Sequence, residues 1–306
     1  MAKKPIEVTS LKANTNPKTW AEAPLYWATI EYHRFWLSVD RPRLTVLSKG
    51  GGQMTPVLLR DIAREYKVVR NLKGQDKKNN SEDETAQKIC ASLNSAMSSW
   101  PGIPHDRLDA CKKLIVTIRP HTAEASSSKE KSQDEGREAK SEKKDEKTVD
   151  AASAVTKFIW FMRPEGWTVF DSYAAKGVGI PPYRAMERME YFYKALILEK
   201  FHDLVEKMQD FIRKNSASMQ ELPATRILDT LFMARGARGS GSDHGVALTE
   251  AYLNHLPKCI REELSALATA LQKEYGPHSL VSPAPPKSRG KRWQRQKEKE
   301  NKGSAA

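Results

Sequence analysis

Between Ala151 and Val178 the chain runs Ala-Ala-Ser-Ala-Val-Thr-Lys-Phe-Ile-Trp-Phe-Met-Arg-Pro-Glu-Gly-Trp-Thr-Val-Phe-Asp-Ser-Tyr-Ala-Ala-Lys-Gly-Val. Small residues open an apolar helix, Pro164 and Gly166 break it, Thr168–Phe170 reads as a short extended run, and Asp171 stands where the next helix begins. This punctuation sets one carboxylate at the mouth of a helical scaffold. Elsewhere no sustained two-residue alternation and no repeat period is visible, so the expected fold is all-α, a helical bundle.

Charge divides the 306 residues before any element is assigned. Residues 122–150 hold seven Lys/Arg and nine Asp/Glu with almost nothing to bury, the composition of a disordered, solvated insert. Residues 277–306 form a disordered basic tail that includes Lys291 and Arg292. The expected organisation is an N-terminal helical lobe over 1–121, the insert, a C-terminal helical lobe over 151–276, and the tail. Roughly 240 residues remain for the core, enough for one sizeable unit or two lobes.

The net charge of +13 splits into +8 for 1–121, −2 for the insert, +1 for 151–286 and +6 for the remainder. A basic lobe with a basic tail suits a polyanion such as nucleic acid, through phosphate neutralisation and counterion release. Lysine-rich termini that serve only solubility are the competing explanation. Three widely spaced cysteines, Cys90, Cys111 and Cys259, form no Cys-x-x-Cys pair, which argues against a disulfide framework or structural zinc. The first residues lack the apolar core of a signal peptide and no apolar run reaches spanning length, so a cytoplasmic protein with no membrane contact is expected.

Along the chain, an aromatic-rich helix is expected from about Trp20 to Leu37, with Tyr26, Trp27, Tyr32 and Trp36 as core or as base-stacking platforms. Lys49-Gly-Gly-Gly-Gln-Met lacks the Gly-Lys-Ser/Thr ending of a phosphate loop and reads as a flexible connector. Next, Thr55 offers an N-cap, Pro56 a first helical residue and Gly74 a stop. Within that span Leu58, Leu59, Ile62, Tyr66, Val69 and Leu72 share one arc, while Arg60, Arg64, Lys67 and Arg70 lie opposite. Such a cationic stripe either tracks phosphates without reading sequence or is an ordinary solvated face. Further helices are expected over 84–97, 106–116 and 224–234, with 182–215 helical almost throughout and one or two helices over 245–275.

The segment around Asp171 resembles the stretch after the hairpin in helix-hairpin-helix DNA glycosylases. There a Thr-Ala-type helix start precedes a Val-Asp motif whose Asp is catalytic; here Ala152-Ser-Ala-Val and Phe170-Asp171 occupy those places. It is also similar to a looser set of bacterial proteins sharing Ala-Ser-Ala followed by Pro and a hydrophobic-x-Asp. The resemblance covers about thirty residues. It implies a two-lobed helical scaffold, nucleic acid as partner, and Asp171 as a carboxylate that stabilises an oxocarbenium-like sugar. Trp160, Trp167 or Tyr173 would wall a flipped base. Two departures stand out. Glu146–Asp150 replaces the Gly-hydrophobic-Gly hairpin, and Ser153 occupies the place of the lyase lysine, with Lys157 one turn further along the same face.

The alternative for Asp171 is a plain helix N-cap. The seven histidines show no metal-ligand spacing, no nucleophile elbow occurs, and neither metal nor cofactor is expected. The reading is a nucleic-acid-binding protein of degenerate glycosylase-like type, with contacts from Arg60, Arg64, Lys67, Arg70, Lys157, Lys291 and Arg292. A non-enzymatic helical protein-interaction module is the alternative; it predicts one dominant protein partner that survives nuclease.

Overall fold

The computed structural model describes residues 20–68, 81–123, 151–183, 185–237 and 244–276. Among them there are helices and turns and no strand. The expected insert beyond Ala123, the tail, Arg70, Lys291 and Arg292 lie outside the described residues. Two compact units form: one joins the chain up to Arg34 with everything from Asp171 onward, and the other spans Phe35–Phe170. The division therefore does not follow the charged insert. α6 (Ala152–Met162), expected in the C-terminal lobe, belongs with the helices before it, because its packing partners are there.

In the Phe35–Phe170 unit, a π turn over Trp36–Asp40 leads into α2 (Arg41–Lys49), then α3 (Pro56–Glu65), α4 (Ser81–Ser98), α5 (Pro104–Ala123) and α6. The helix over 41–49 has no counterpart among the expected elements. α6 packs against α2, α3, α4 and α5, and every residue of it but Ser153 is buried. A helix apolar on all sides is stable only when enclosed. Burying Phe158, Trp160 and Phe161 contributes about 1.5–3 kcal/mol each.

The glycine run is an ordered cap rather than a flexible connector. Gly51 and Gly52 take φ of 68° and 76°, and the Gly50, Gly51 and Gly52 amides donate to carbonyls of α2. Those N–H groups are spent on the helix end, which removes them from any phosphate. Asn94 then holds the chain before α3, accepting from Met54 N at 2.8 Å and donating to Met54 O at 3.0 Å.

α3 stops at Glu65, well short of the expected Gly74. Lys67 adopts a left-handed φ of 54°, its amide donates to Arg64 O, and Val68 N donates to Ala63 O at 2.8 Å. This is a Schellman ending built on a lysine, closed by the buried Val68. At the start of the helix Thr55 caps as expected, its hydroxyl accepting from Leu58 N.

The second unit holds α1 (Pro24–Phe35) up to Arg34, α7 (Ser172–Gly177), α8 (Ala185–Leu198), α9 (Phe201–Asn215), α10 (Ala224–Ala237), α11 (His244–His255) and α12 (Lys258–Tyr275). Tyr26, Trp27 and Tyr32 of α1 are core residues, so the aromatic cluster packs instead of forming a stacking platform. Gln272 of α12 accepts from Leu25 N and Tyr26 N, satisfying open donors of α1's first turn. The stretch 182–215, expected to be helical almost throughout, is two helices, because Lys200 turns left-handed at φ 55° between α8 and α9.

α7 and α10 run antiparallel with their backbones touching. A Cβ on Gly177 would lie 1.9 Å from Phe232 O, and one on Gly236 would lie 1.8 Å from Tyr173 O. Only glycine at both positions permits this approach.

His33 of α1 is buried, its Nδ1 2.7 Å from the Tyr252 hydroxyl of α11, and burial lowers its pKa to about 4. With the folded value below the unfolded value of 6.5, stability is full above pH 6.5 and falls as the pH drops toward 4. The loss across that window is about 3 kcal/mol. Chemical denaturation at stepped pH should record it, and His33→Gln should flatten the slope there; an unchanged slope would remove His33 as its source.

The Asp171 cap and a candidate nucleic-acid interface

Asp171 is the N-cap of α7. Its backbone is extended, at φ −139° and ψ 152°, and its carboxylate accepts from Tyr173 N at 2.8 Å. Just before it, Phe170 N donates to the buried Thr156 hydroxyl of α6 at 3.1 Å, fixing Thr168–Phe170 as an irregular segment, not a strand. Arg188 of α8 donates from Nη2 to Ser172 O at 2.8 Å. Burial lowers the pKa of Arg188, and the nearby Asp171 carboxylate opposes that shift. Asp171 is thus a cap beside a guanidinium, half-buried and not sealed in the core.

The proposed base walls differ in exposure. Trp160 and Trp167 are core residues, and Tyr173 is 52% exposed. Trp167 meets Trp100 edge to face at 5.7 Å, and Arg107 ties the loops carrying them by donating to Pro101 O and Gly166 O.

Lys157 turns inward. It is 4% exposed, its ammonium donates to Ser153 Oγ at 2.6 Å, and it stands 5.8 Å from the Tyr66 ring centroid. The Tyr66 hydroxyl in turn donates to the buried Asp40 at 2.6 Å. In this position Lys157 is a buried donor and does not face solvent as a phosphate contact.

The cationic stripe of α3 is shorter than its sequence suggests. Arg64 and Lys67 are exposed and Arg60 is half-buried, but Lys67 has left the helical face through its left-handed turn. Arg60 lies near Cys90, whose pKa burial pushes up to about 11 against the opposing arginine charge. Arg43, which no sequence pattern singles out, donates to Val39 O and pairs with Asp61 at 2.9 Å and Glu65 at 3.2 Å. It occupies the two carboxylates interleaved with the stripe.

Asp171 belongs to the unit that joins the chain up to Arg34 with Asp171 onward, whereas Arg60, Arg64, Lys67 and Lys157 belong to the other. Among the described residues of the Phe35–Phe170 unit, 13 are basic and 9 acidic; in the second unit the figures are 13 and 15. Of the net +13, +11 therefore sits on residues outside the described ones.

Among the described residues no group of His, Cys, Asp and Glu could hold a metal ion, and no helix is long and apolar enough to cross a membrane. Comparison with protein-family models, curated proteins and solved structures finds no match.

Proposed function

We propose that this chain is a nucleic-acid-binding protein, with DNA as the expected ligand, on a degenerate glycosylase-like helical scaffold. The observation that carries the reading is the separation of charge from core. The described residues carry +4 in the Phe35–Phe170 unit and −2 in the other, while +11 of the net charge lies on sequence segments outside the described residues, including Arg70, Lys291 and Arg292. Cations on such segments release counterions from a phosphate backbone whatever its sequence. The exposed Arg64 and Lys67, with Arg60 beside them, add a fixed contact at the end of α3.

Replacing Arg60, Arg64 and Lys67 together by alanine should weaken DNA binding and reduce the slope of log K against log salt by about 1 for each phosphate that is no longer neutralised. Binding that is unchanged at every salt concentration would remove α3 from the interface.

Asp171 acts here as a helix cap. Asp171→Asn keeps a good capping group, so stability and DNA affinity should stay within about 0.5 kcal/mol of the parent. A panel of DNAs with damaged bases checks this: base release by the parent that disappears in the variant would assign the carboxylate to catalysis.

A further inference from the structure

A second surface in the unit that begins at Asp171 has different chemistry from the cationic segments. Tyr183, just before α8, lies with its ring 4.9 Å from that of Tyr191, tilted by 42°. Both residues are partly exposed. Arg188 is one helical turn before Tyr191, so the two share a face of α8. From that face the guanidinium reaches Ser172 O, next to the exposed Tyr173 of α7. Nη2 of Arg188 is anchored on that carbonyl at 2.8 Å, and its Nε is buried.

We propose that this face receives the unpaired bases of a single-stranded stretch of nucleic acid, a reading that rests on the nucleic-acid function proposed above. Bases stack on aromatic rings and guanidinium planes, and do so with little regard to sequence. Phosphates are poor candidates for the same place. The Asp171 carboxylate acts on Arg188, and Glu187 stands one turn before Tyr191. Those negative charges repel a phosphate backbone, whereas the uncharged face of a base meets no such repulsion. The two surfaces then divide the work: cationic segments hold the backbone, and the tyrosine and arginine face takes the bases.

The test uses the full chain and three fluorescent probes: a single-stranded oligonucleotide, a blunt duplex, and that duplex with a single-stranded overhang. Tyr183→Ala and Tyr191→Ala should each weaken binding of the two probes with unpaired bases roughly tenfold. Duplex affinity and the salt slope for all probes should hold, because no phosphate contact is removed. Tyr183→Leu and Tyr191→Leu retain apolar bulk without the π face and should show the same loss, which separates stacking from misfolding. Unchanged single-strand affinity, or equal losses for the blunt duplex, would overturn this assignment and leave the face to a protein partner while the charge-based reading stands. Parent protein that binds none of the probes would overturn both.

Discussion

Gly236→Ala should destabilise the unit that begins at Asp171 by about 4 kcal/mol or more, placing it among the exceptional single substitutions. The added Cβ would meet Tyr173 O at 1.8 Å and Gly177 N at 2.8 Å, backbone atoms that cannot rotate away. Gly177→Ala should act alike, since its Cβ would meet Phe232 O at 1.9 Å. Relief requires α7 to separate from α10, opening apolar surface around Ala174, Ala175 and Phe232. Gly102→Ala is the control, because nothing lies within 4 Å of its new Cβ. Hydrogen exchange of α10 amides, with urea denaturation, measures the effect. A Gly236→Ala protein within about 1 kcal/mol of the parent would mean that α7 does not lie on α10 as described. Because α7 carries Tyr173 and is capped by Asp171, the same substitution should disturb that face even where folding survives.

The second large effect concerns Arg226 and Asp229, a salt bridge within α10 between two buried side chains. The Arg226 guanidinium also lies over the Tyr32 ring of α1, 5.6 Å from its centroid. Removing one partner leaves the other charge in the core, so Asp229→Ala should cost about 3–5 kcal/mol. Replacing both, as Arg226→Met with Asp229→Leu, should cost clearly less than the sum of the single changes, because neither charge is then left alone. A double-mutant cycle in urea checks this; strictly additive costs would show that the pair does not act as a unit.

Much of the fold is legible in the sequence because local chemistry and tertiary packing agree. α6 is apolar between small residues and the Pro164/Gly166 break, and it is the enclosed centre of its unit. Asp171 has the sequence context of a cap and is one. Expectation and structure part where the backbone takes a conformation its residue type does not advertise. Lys67 and Lys200 turn left-handed without glycine, the first ending α3 early and the second separating α8 from α9. The grouping of α1 with the C-terminal helices depends on contacts such as Gln272 with Leu25, 247 residues apart, which no local pattern encodes.

The candidate site is less legible for the same reason. Periodicity places Lys157 on a helical face but gives no sign that the face points inward toward Tyr66. Arg43 has no local signal because its carboxylate partners come from α3. Arg188 and Tyr191, spaced by one turn after Pro181 and Pro182, are the available signal for the second surface. Their meaning depends on Tyr183 folding back and on Ser172 lying within reach.

The most direct test of polyanion binding is a titration of the intact chain with labelled DNA between about 50 and about 200 mM salt. If the cations that supply most of the net charge hold the phosphates, log K will fall linearly with log salt, with a slope of several counterions. Absence of binding at the lowest salt, or an affinity indifferent to salt, would contradict the account.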